Sequence, residues 1–202
     1  MSRLLLCLLL ALVWPAHAED ARYRVDLIVF IDLRTPTEPA EPARLPPPDG
    51  ALSTDDAAAL AASGITVLAD GAFGLDTEWA RLRNSRNLRP LARLAWIQQA
   101  PPAERGPRLR LRQGEPMSVT VADTLLPVSL SALEGSVALR RSRFLHLDVD
   151  LHFTEAQADS WRQYQLRDTR RMRRDELHYL DSPKLGVLAR VTQVDERTTD
   201  AP

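Results

Sequence analysis

Apolar and polar residues alternate along much of this chain, which is the pattern of β-strands that bury one face. Residues 23–31 (YRVDLIVFI) begin with this alternation and end apolar on both faces, which predicts a strand in the middle of a sheet. Residues 88–98 (LRPLARLAWIQ) fit a strand or a helix by periodicity, and the prolines at both ends favour a strand. Residues 108–112 (RLRLR) alternate strictly and predict a short strand with its leucines inward, and residues 118–121 predict a further extended piece.

The longest alternating stretch, residues 135–153, is predicted to form one long strand. Its polar face is made of histidine and aspartate residues at every second position: His146, Asp148, Asp150 and His152. Residues 161–172 are predicted to be the antiparallel neighbour of this strand, with arginines on one face. If the two strands pair, the acidic row lies beside the arginine row, and each pair of opposite charges contributes about 0.2–1 kcal/mol.

The stretch 170–188 (RRMRRDELHYLDSPKLGVL) is dense in charge at its start and apolar at its end. The run from Asp181 to Pro183 interrupts it, because proline has no amide hydrogen for a strand ladder and restricts the residue before it. From Leu185 onward, apolar residues alternate again. This order of strand, turn and strand predicts a β-hairpin that closes the fold.

Two short helices are predicted between the first strands. Capping residues precede a helix at 57–62, and Gly64 offers a stop after it. A second helix is predicted to start with Thr77 or Asp76 as its N-cap. Together these elements predict an α+β fold: a curved, mainly antiparallel sheet with one or two helices on one face.

Residues 1–18 have the pattern of a secretory signal peptide. Arg3 supplies the positive start, an apolar run follows, and the small residues around His17 predict cleavage after Ala18. This apolar run is shorter than the roughly 20 residues that cross a bilayer, and no later run is long enough. The protein is therefore expected to be exported, with no membrane attachment after cleavage.

The remaining chain has the length of one domain, expected at residues 19–195. Prolines forbid regular structure in a predicted insertion at 35–50, which is interpreted as an extended, solvated spacer. Residues 196–202 are expected to form a disordered tail. Cys7 is the only cysteine and lies in the signal peptide, so the mature protein would contain no disulfide.

The charge of the chain narrows the classes of partner. A formal net charge of −1 argues against nucleic acid as a partner. Lys184 is the only lysine, so the basic surface is built almost entirely from arginines. The planar guanidinium group of arginine binds carboxylates and phosphates through two hydrogen bonds at once.

Neither a catalytic motif nor a cofactor motif is evident in the sequence. The row of His146, Asp148, Asp150 and His152 has the residue types of a metal site, but it spans roughly 20 Å, so at most two neighbours reach one ion. A third ligand would have to come from His178 or Glu176. Glu176 and Asp181 offer a carboxylate pair for glycoside cleavage. We expect instead a solvated or ion-paired sheet face and a protein that is not an enzyme, with no metal and no cofactor.

Several segments together resemble the CsiV family. They are residues 23–30, residues 79–96 (WARLRNSRNLRPLARLAW), RFLHL at 143–147, RRMR at 170–173, ELHYLD at 176–181 and PKLGVL at 183–188. The resemblance runs through the whole mature chain, and the RRMR and ELHYLD motifs are its specific part. It implies a periplasmic protein of γ-proteobacterial type that binds peptidoglycan and is linked to cell-wall assembly and cell shape.

With this resemblance, the predicted function is a non-catalytic peptidoglycan-binding protein that assists or regulates cell-wall synthesis, with wall-synthesis proteins as further partners. The alternative is a periplasmic scaffold or accessory protein that binds another protein through its arginine-rich face. Peptidoglycan stem peptides carry free carboxylates, which exposed arginines bind by charge-assisted hydrogen bonds. The predicted ligand-binding residues are Arg143, Arg167, Arg171, Arg173, His178 and Tyr179.

Overall fold

A computed structural model describes residues 21–34, 50–120, 127–157 and 160–194. The predicted signal peptide at 1–18, the predicted tail at 196–202 and nearly all of the proline-rich insertion lie outside these residues. Within them the helices are α1 (Ala57–Ala62), a 3₁₀ helix (Asp70–Ala72) and α2 (Asp76–Arg83). The strands are β1 (Arg22–Asp32), β2 (Ala51–Leu52), β3 (Ile65–Val67), β4 (Leu88–Gln99), β5 (Arg108–Gln113), β6 (Met117–Thr120), β7 (Pro127–Leu130), β8 (Leu133–Arg141), β9 (Leu145–Gln157), β10 (Ser160–Met172), β11 (Leu177–Asp181) and β12 (Leu185–Val194).

The strands form two five-stranded sheets rather than the single sheet that was predicted. The first sheet has the order β11-β12-β1-β4-β3, and the second has the order β10-β9-β8-β5-β2. Strands β6 and β7 pair separately. The predicted mainly antiparallel arrangement is confirmed, with β2 and β5 as a parallel pair. Alternation reveals that a strand buries one face, but it does not say which strands share a sheet.

The apolar faces of the two sheets meet in one core. The first sheet contributes Leu27, Trp96 and Val187, and the second contributes Leu139 and Leu147, all of which are fully buried. Strand β1 lies in the middle of its sheet, as its doubly apolar end predicted. The outer face of the second sheet, which carries the predicted charged rows, therefore points away from the core.

Residues 135–153, predicted as one long strand, form two antiparallel strands, β8 and β9. The turn between them contains Ser142, whose amide donates a hydrogen bond to the carbonyl of Phe144 at 3.1 Å. A run of polar residues breaks the alternation here and allows the chain to reverse. Gly135 permits close pairing of the two strands: a Cβ at this position would lie 2.1 Å from the carbonyl oxygen of Asp150, and its φ is +150°.

The first sheet also buries part of its outer face. Ile28 and Phe30 of β1 pack there with Leu82 of α2. The start predicted for α2 is nearly right, but neither predicted side chain caps it, because Leu75 occupies the N-cap without a side-chain hydrogen bond. The prediction for α1 is confirmed, and Asp56 accepts the capping hydrogen bond from the amide of Ala59 at 3.0 Å.

A buried aspartate holds the segment before α2 against the first sheet. Asp26 is 1% exposed and accepts hydrogen bonds from the side chain of Arg24 and from the amide of Gly74, the latter at 2.7 Å. Arg190 donates to the carbonyl of Gly74 at 2.6 Å. This pairing satisfies the buried carboxylate, which would otherwise destabilise the fold.

The predicted closing hairpin is confirmed as β11 and β12. The amide of Ser182 donates to the carbonyl of Leu185 at 2.8 Å and closes the turn around Pro183. Strand β11 is an edge strand of the first sheet, so the motif residues on it lie at the edge of that sheet.

Candidate functional site

The outer face of the second sheet carries the predicted charged rows side by side. Strands β9 and β10 pair antiparallel, as predicted, with Asp150 opposite Arg167 and His146 opposite Arg171. Asp148 lies opposite Thr169. The two rows therefore lie side by side. Of these three positions, only Asp150 has an arginine, Arg167, directly opposite its carboxylate.

Asp148 is bound mainly from its other neighbour, β8. Arg140 donates two hydrogen bonds to its carboxylate, one of them at 3.0 Å, and the hydroxyl of Thr169 donates a third at 2.8 Å. Burial raises the pKa of Asp148, but the hydrogen bonds from Arg140 and Thr169 outweigh burial, so its pKa lies below the ordinary value. Arg140 is thus committed to this pair and is a poor candidate for ligand binding.

Asp150 is also held by its neighbours but leaves Arg167 largely available. Its carboxylate accepts a hydrogen bond from Gln165 at 3.1 Å and lies 3.4 Å from Nε2 of His152. Burial raises the pKa of Asp150, but the contacts with His152 and Gln165 outweigh burial. The pKa of Asp150 therefore lies below the ordinary value. Arg167 is 3.8 Å from the carboxylate, too long for a hydrogen bond, and its side chain is 77% exposed.

Metal ligation was the alternative for this polar row. Within the part of the chain that the structure describes, no three His, Cys, Asp or Glu side chains come together in a way that could hold a metal ion. The aspartates of the row are occupied by Arg140, Thr169 and Gln165 instead.

Two adjoining cavities lie over this face, and we call them together the arginine groove. They have volumes of about 270 and 520 Å³ and share Arg108, Asp150 and Arg167 in their walls. Arg108 is held in place by a hydrogen bond of 2.8 Å from its Nε to the hydroxyl of Ser136. The arginines that line the groove are Arg105, Arg108, Arg110, Arg112, Arg140 and Arg167. Its acidic residues are Glu104, Glu134, Asp148, Asp150 and Asp168.

Arg143 and Arg171, two of the predicted residues, come together at the turn between β8 and β9. Both guanidinium groups lie over the ring of Phe144, that of Arg171 at 3.4 Å and that of Arg143 at 5.4 Å from the ring centroid. We call these three residues the hairpin end. Each cation over an exposed ring contributes about 0.5–1 kcal/mol, so the ring fixes both arginines while they stay accessible.

Arg167 and Arg171 lie on the same face of β10, four residues apart. At about 3.3 Å per residue, that separation is roughly 13 Å, so the hairpin end lies along β10 from the arginine groove.

Arg173, in the connection between β10 and β11, contacts His178 of β11. The backbone amide of Arg173 donates a hydrogen bond to Nε2 of His178 at 2.9 Å. This nitrogen therefore acts as the acceptor and fixes the ring against the connection. The guanidinium of Arg173 is 3.7 Å from Glu176 and mostly exposed.

Tyr179 lies elsewhere, on the outer face of the first sheet. Its ring stacks on that of Phe30 with 6.1 Å between the centroids. The six predicted residues are thus in four places: Arg167 in the groove, Arg143 and Arg171 at the hairpin end, Arg173 with His178, and Tyr179 on the other sheet.

Sequence reasoning missed the arginines of β5 as site residues. The strand itself was predicted, and leucines that point inward leave Arg108, Arg110 and Arg112 on the outer face. The missing information was the neighbour of this strand. Its pairing with β8 brings it within reach of β9 and β10.

Residues 1–194 match the sequence profile of the family described as "Peptidoglycan-binding protein, CsiV". The chain belongs to the CsiV family. Membership confirms the resemblance in the motifs, and the family description states that its members bind peptidoglycan, which implies a location outside the cytoplasm. No curated protein and no solved structure matches the chain. None of the helices in the described residues is long and apolar enough to cross a membrane.

Proposed function

We propose that this CsiV-family protein is a non-catalytic peptidoglycan-binding protein that holds the stem peptides of the wall in its arginine groove. The family description, matched over residues 1–194, supports the class of ligand. The environment of Arg167 favours the groove. Its side chain is largely exposed within a concave site and has no carboxylate at hydrogen-bond distance among the described residues.

The lining of the groove suits a peptide with both signs of charge. Stem peptides carry free carboxylates, which the guanidinium groups of Arg167 and Arg108 can bind through paired, charge-assisted hydrogen bonds. They also carry an amino group on their diamino acid, for which the acidic residues of the groove are acceptors. A polymer of one charge sign would meet repulsion from half of the lining.

The hairpin end extends this surface. Arg143 and Arg171 are fixed by the ring of Phe144 and keep their donors toward solvent, so they can contact a second carboxylate. We place Arg173 at the edge of the surface, with His178 as the residue that holds its backbone. Tyr179 belongs to a separate surface.

The finer features of this proposal follow from the sequence. We propose export to the periplasm with cleavage after Ala18, and a role in assisting or regulating cell-wall synthesis together with wall-synthesis proteins. The two aspartates of the groove are unsuited to general acid catalysis. A general acid needs a raised pKa, whereas the pKa values of Asp148 and Asp150 are lowered.

The test is co-sedimentation of charge-reversal variants with purified sacculi. Arg167→Glu removes the exposed donor and adds a repulsive charge, so we expect the apparent affinity to fall at least about tenfold, which corresponds to about 1.4 kcal/mol. The double variant Arg171→Glu/Arg173→Glu is expected to weaken binding as well, with a melting temperature close to that of the wild type.

Arg86→Glu is the matched control, because Arg86 is an exposed arginine between α2 and β4 and lines neither cavity of the groove. It changes the net charge by the same amount and should leave binding unchanged. Equal loss in Arg167→Glu and Arg86→Glu would show that only net charge matters and would contradict a specific groove. Retention of full binding in both Arg167→Glu and the double variant would also contradict it.

A further inference from the structure

A second cleft lies on the outer face of the first sheet, on the opposite side of the molecule from the arginine groove. It has a volume of about 640 Å³, which is within the range of roughly 300–1,000 Å³ that is usual for small-molecule sites. Asp32 and Arg34 line one side, Leu82 of α2 lines another, and the β11–β12 hairpin contributes Tyr179 and Asp181.

An exposed aromatic ring dominates this cleft. Tyr179 is 52% exposed, although one face of its ring stacks on Phe30, which is only 5% exposed. The two ring planes differ by 16°. Gly186 makes this arrangement possible, since a Cβ there would lie 2.4 Å from the ring of Phe30. The packing thus holds the Tyr179 ring in a fixed plane and leaves much of it open to solvent.

Carboxylates lie beside the ring. Arg34 binds Asp32 through two hydrogen bonds, at 2.7 and 3.1 Å, and these lower the pKa of Asp32 to about 2. Burial raises the pKa of the Tyr179 hydroxyl, and the nearby charge of Asp181 raises it further. Asp32 already accepts three hydrogen bonds from Arg34, so Asp181 and the hydroxyl of Ser182 are the acceptors of the cleft for hydroxyl and amide groups of a ligand.

We propose that this cleft binds the glycan strand of peptidoglycan, which makes it a second wall-binding site distinct from the arginine groove. The proposal rests on the proposed function, since it takes peptidoglycan as the ligand. The electron-rich face of Tyr179 attracts the C–H groups on the face of a sugar ring. The carboxylate of Asp181 accepts hydrogen bonds from its hydroxyl groups.

The same chemistry disfavours other occupants. A stem-peptide carboxylate would meet repulsion from Asp32 and Asp181 without an uncommitted cation, because Arg34 is bound to Asp32 and Lys184 is buried beside Glu155. An apolar peptide would bury those two carboxylates without giving them hydrogen-bond donors, which is costly. A neutral polyhydroxylated ligand meets neither penalty. Because Asp32 is ionised above about pH 2, it acts there as an acceptor and not as the general acid that glycoside cleavage requires.

The experiment measures binding of two probes by the mature protein: peptide-free glycan strands and the free stem tetrapeptide. Tyr179→Leu keeps an apolar cover over Phe30 but removes the aromatic face, so we expect glycan affinity to fall at least tenfold while tetrapeptide affinity is unchanged. Arg167→Glu should give the converse. Tyr179→Phe retains the ring and should retain most of the glycan affinity.

Leu177→Ala is the matched control, because Leu177 is 46% exposed on the same strand, two residues before Tyr179, and does not line the cleft. Its glycan affinity should equal that of the wild type. If sacculi bind but glycan strands do not, or if Tyr179→Leu binds glycan like the control, the cleft assignment is overturned while the proposed function stands. If neither sacculi nor either probe binds, both proposals fail together.

Discussion

Two aspartates show how single residues define the candidate site. Asp148 is half-buried and Asp150 is buried, and their lowered pKa values keep both ionised at neutral pH, but Asp148 already accepts three hydrogen bonds from Arg140 and Thr169. Asp150 takes its short contacts from neutral Gln165 and from His152, and so leaves Arg167 largely uncommitted. Arg140 is therefore committed to an ion pair whereas Arg167 stays exposed, and this difference depends on which aspartate each arginine meets.

These carboxylates also predict how stability depends on pH. Because the folded-state pKa values lie below the ordinary 3.8, the unfolded chain binds protons more readily. The stabilisation is complete above pH 3.8 and is lost progressively as the pH falls below it. Asp148→Asn should lower the free energy of unfolding at pH 7 and make its decline between pH 4 and pH 2 shallower, as measured by urea unfolding. An unchanged slope in this variant would contradict the assigned contacts.

At the scale of single elements, the local pattern of the sequence was informative. It predicted β1, β4, β5 and the closing hairpin, because each buries one face and alternates accordingly. It failed at residues 135–153. The inward-facing residues of β8 and β9 continue one alternating pattern, so the two strands were taken for a single strand. The turn between them has no glycine or proline, so only a short run of polar residues marked the reversal.

The pairing of β8 with β9 depends on Gly135, which supports a mutational test. In Gly135→Ala, the added methyl group would collide with the backbone of β9, and we expect a loss of about 3 kcal/mol or more in the free energy of unfolding. Gly71→Ala is the control, since a Cβ at Gly71 meets no atom within 4 Å. Chemical denaturation should show a large difference between the two variants, and similar stabilities would contradict the close strand pairing.

At the scale of the whole molecule, the division into two sheets determines which residues can act together. It separates Tyr179 from the arginines that lie close to it in the sequence motifs. It also brings Arg108 close to Arg167, although the two residues are more than fifty positions apart in the chain. Long-range pairing of this kind leaves no local signal. Charge and motif could therefore nominate individual candidate residues, whereas their grouping into an arginine groove and a separate aromatic cleft could not be predicted.

The most direct measurement is co-sedimentation of the wild-type protein, from Glu19 onward, with purified sacculi across a salt series. Exposed charges are screened over about 8–10 Å at ordinary ionic strength, so recognition of carboxylates by Arg167 and its neighbours should weaken as salt rises. We predict binding at low salt that declines steadily with added salt. Absence of binding at low salt would contradict the wall-binding account, and binding that is indifferent to salt would contradict the role of the arginines.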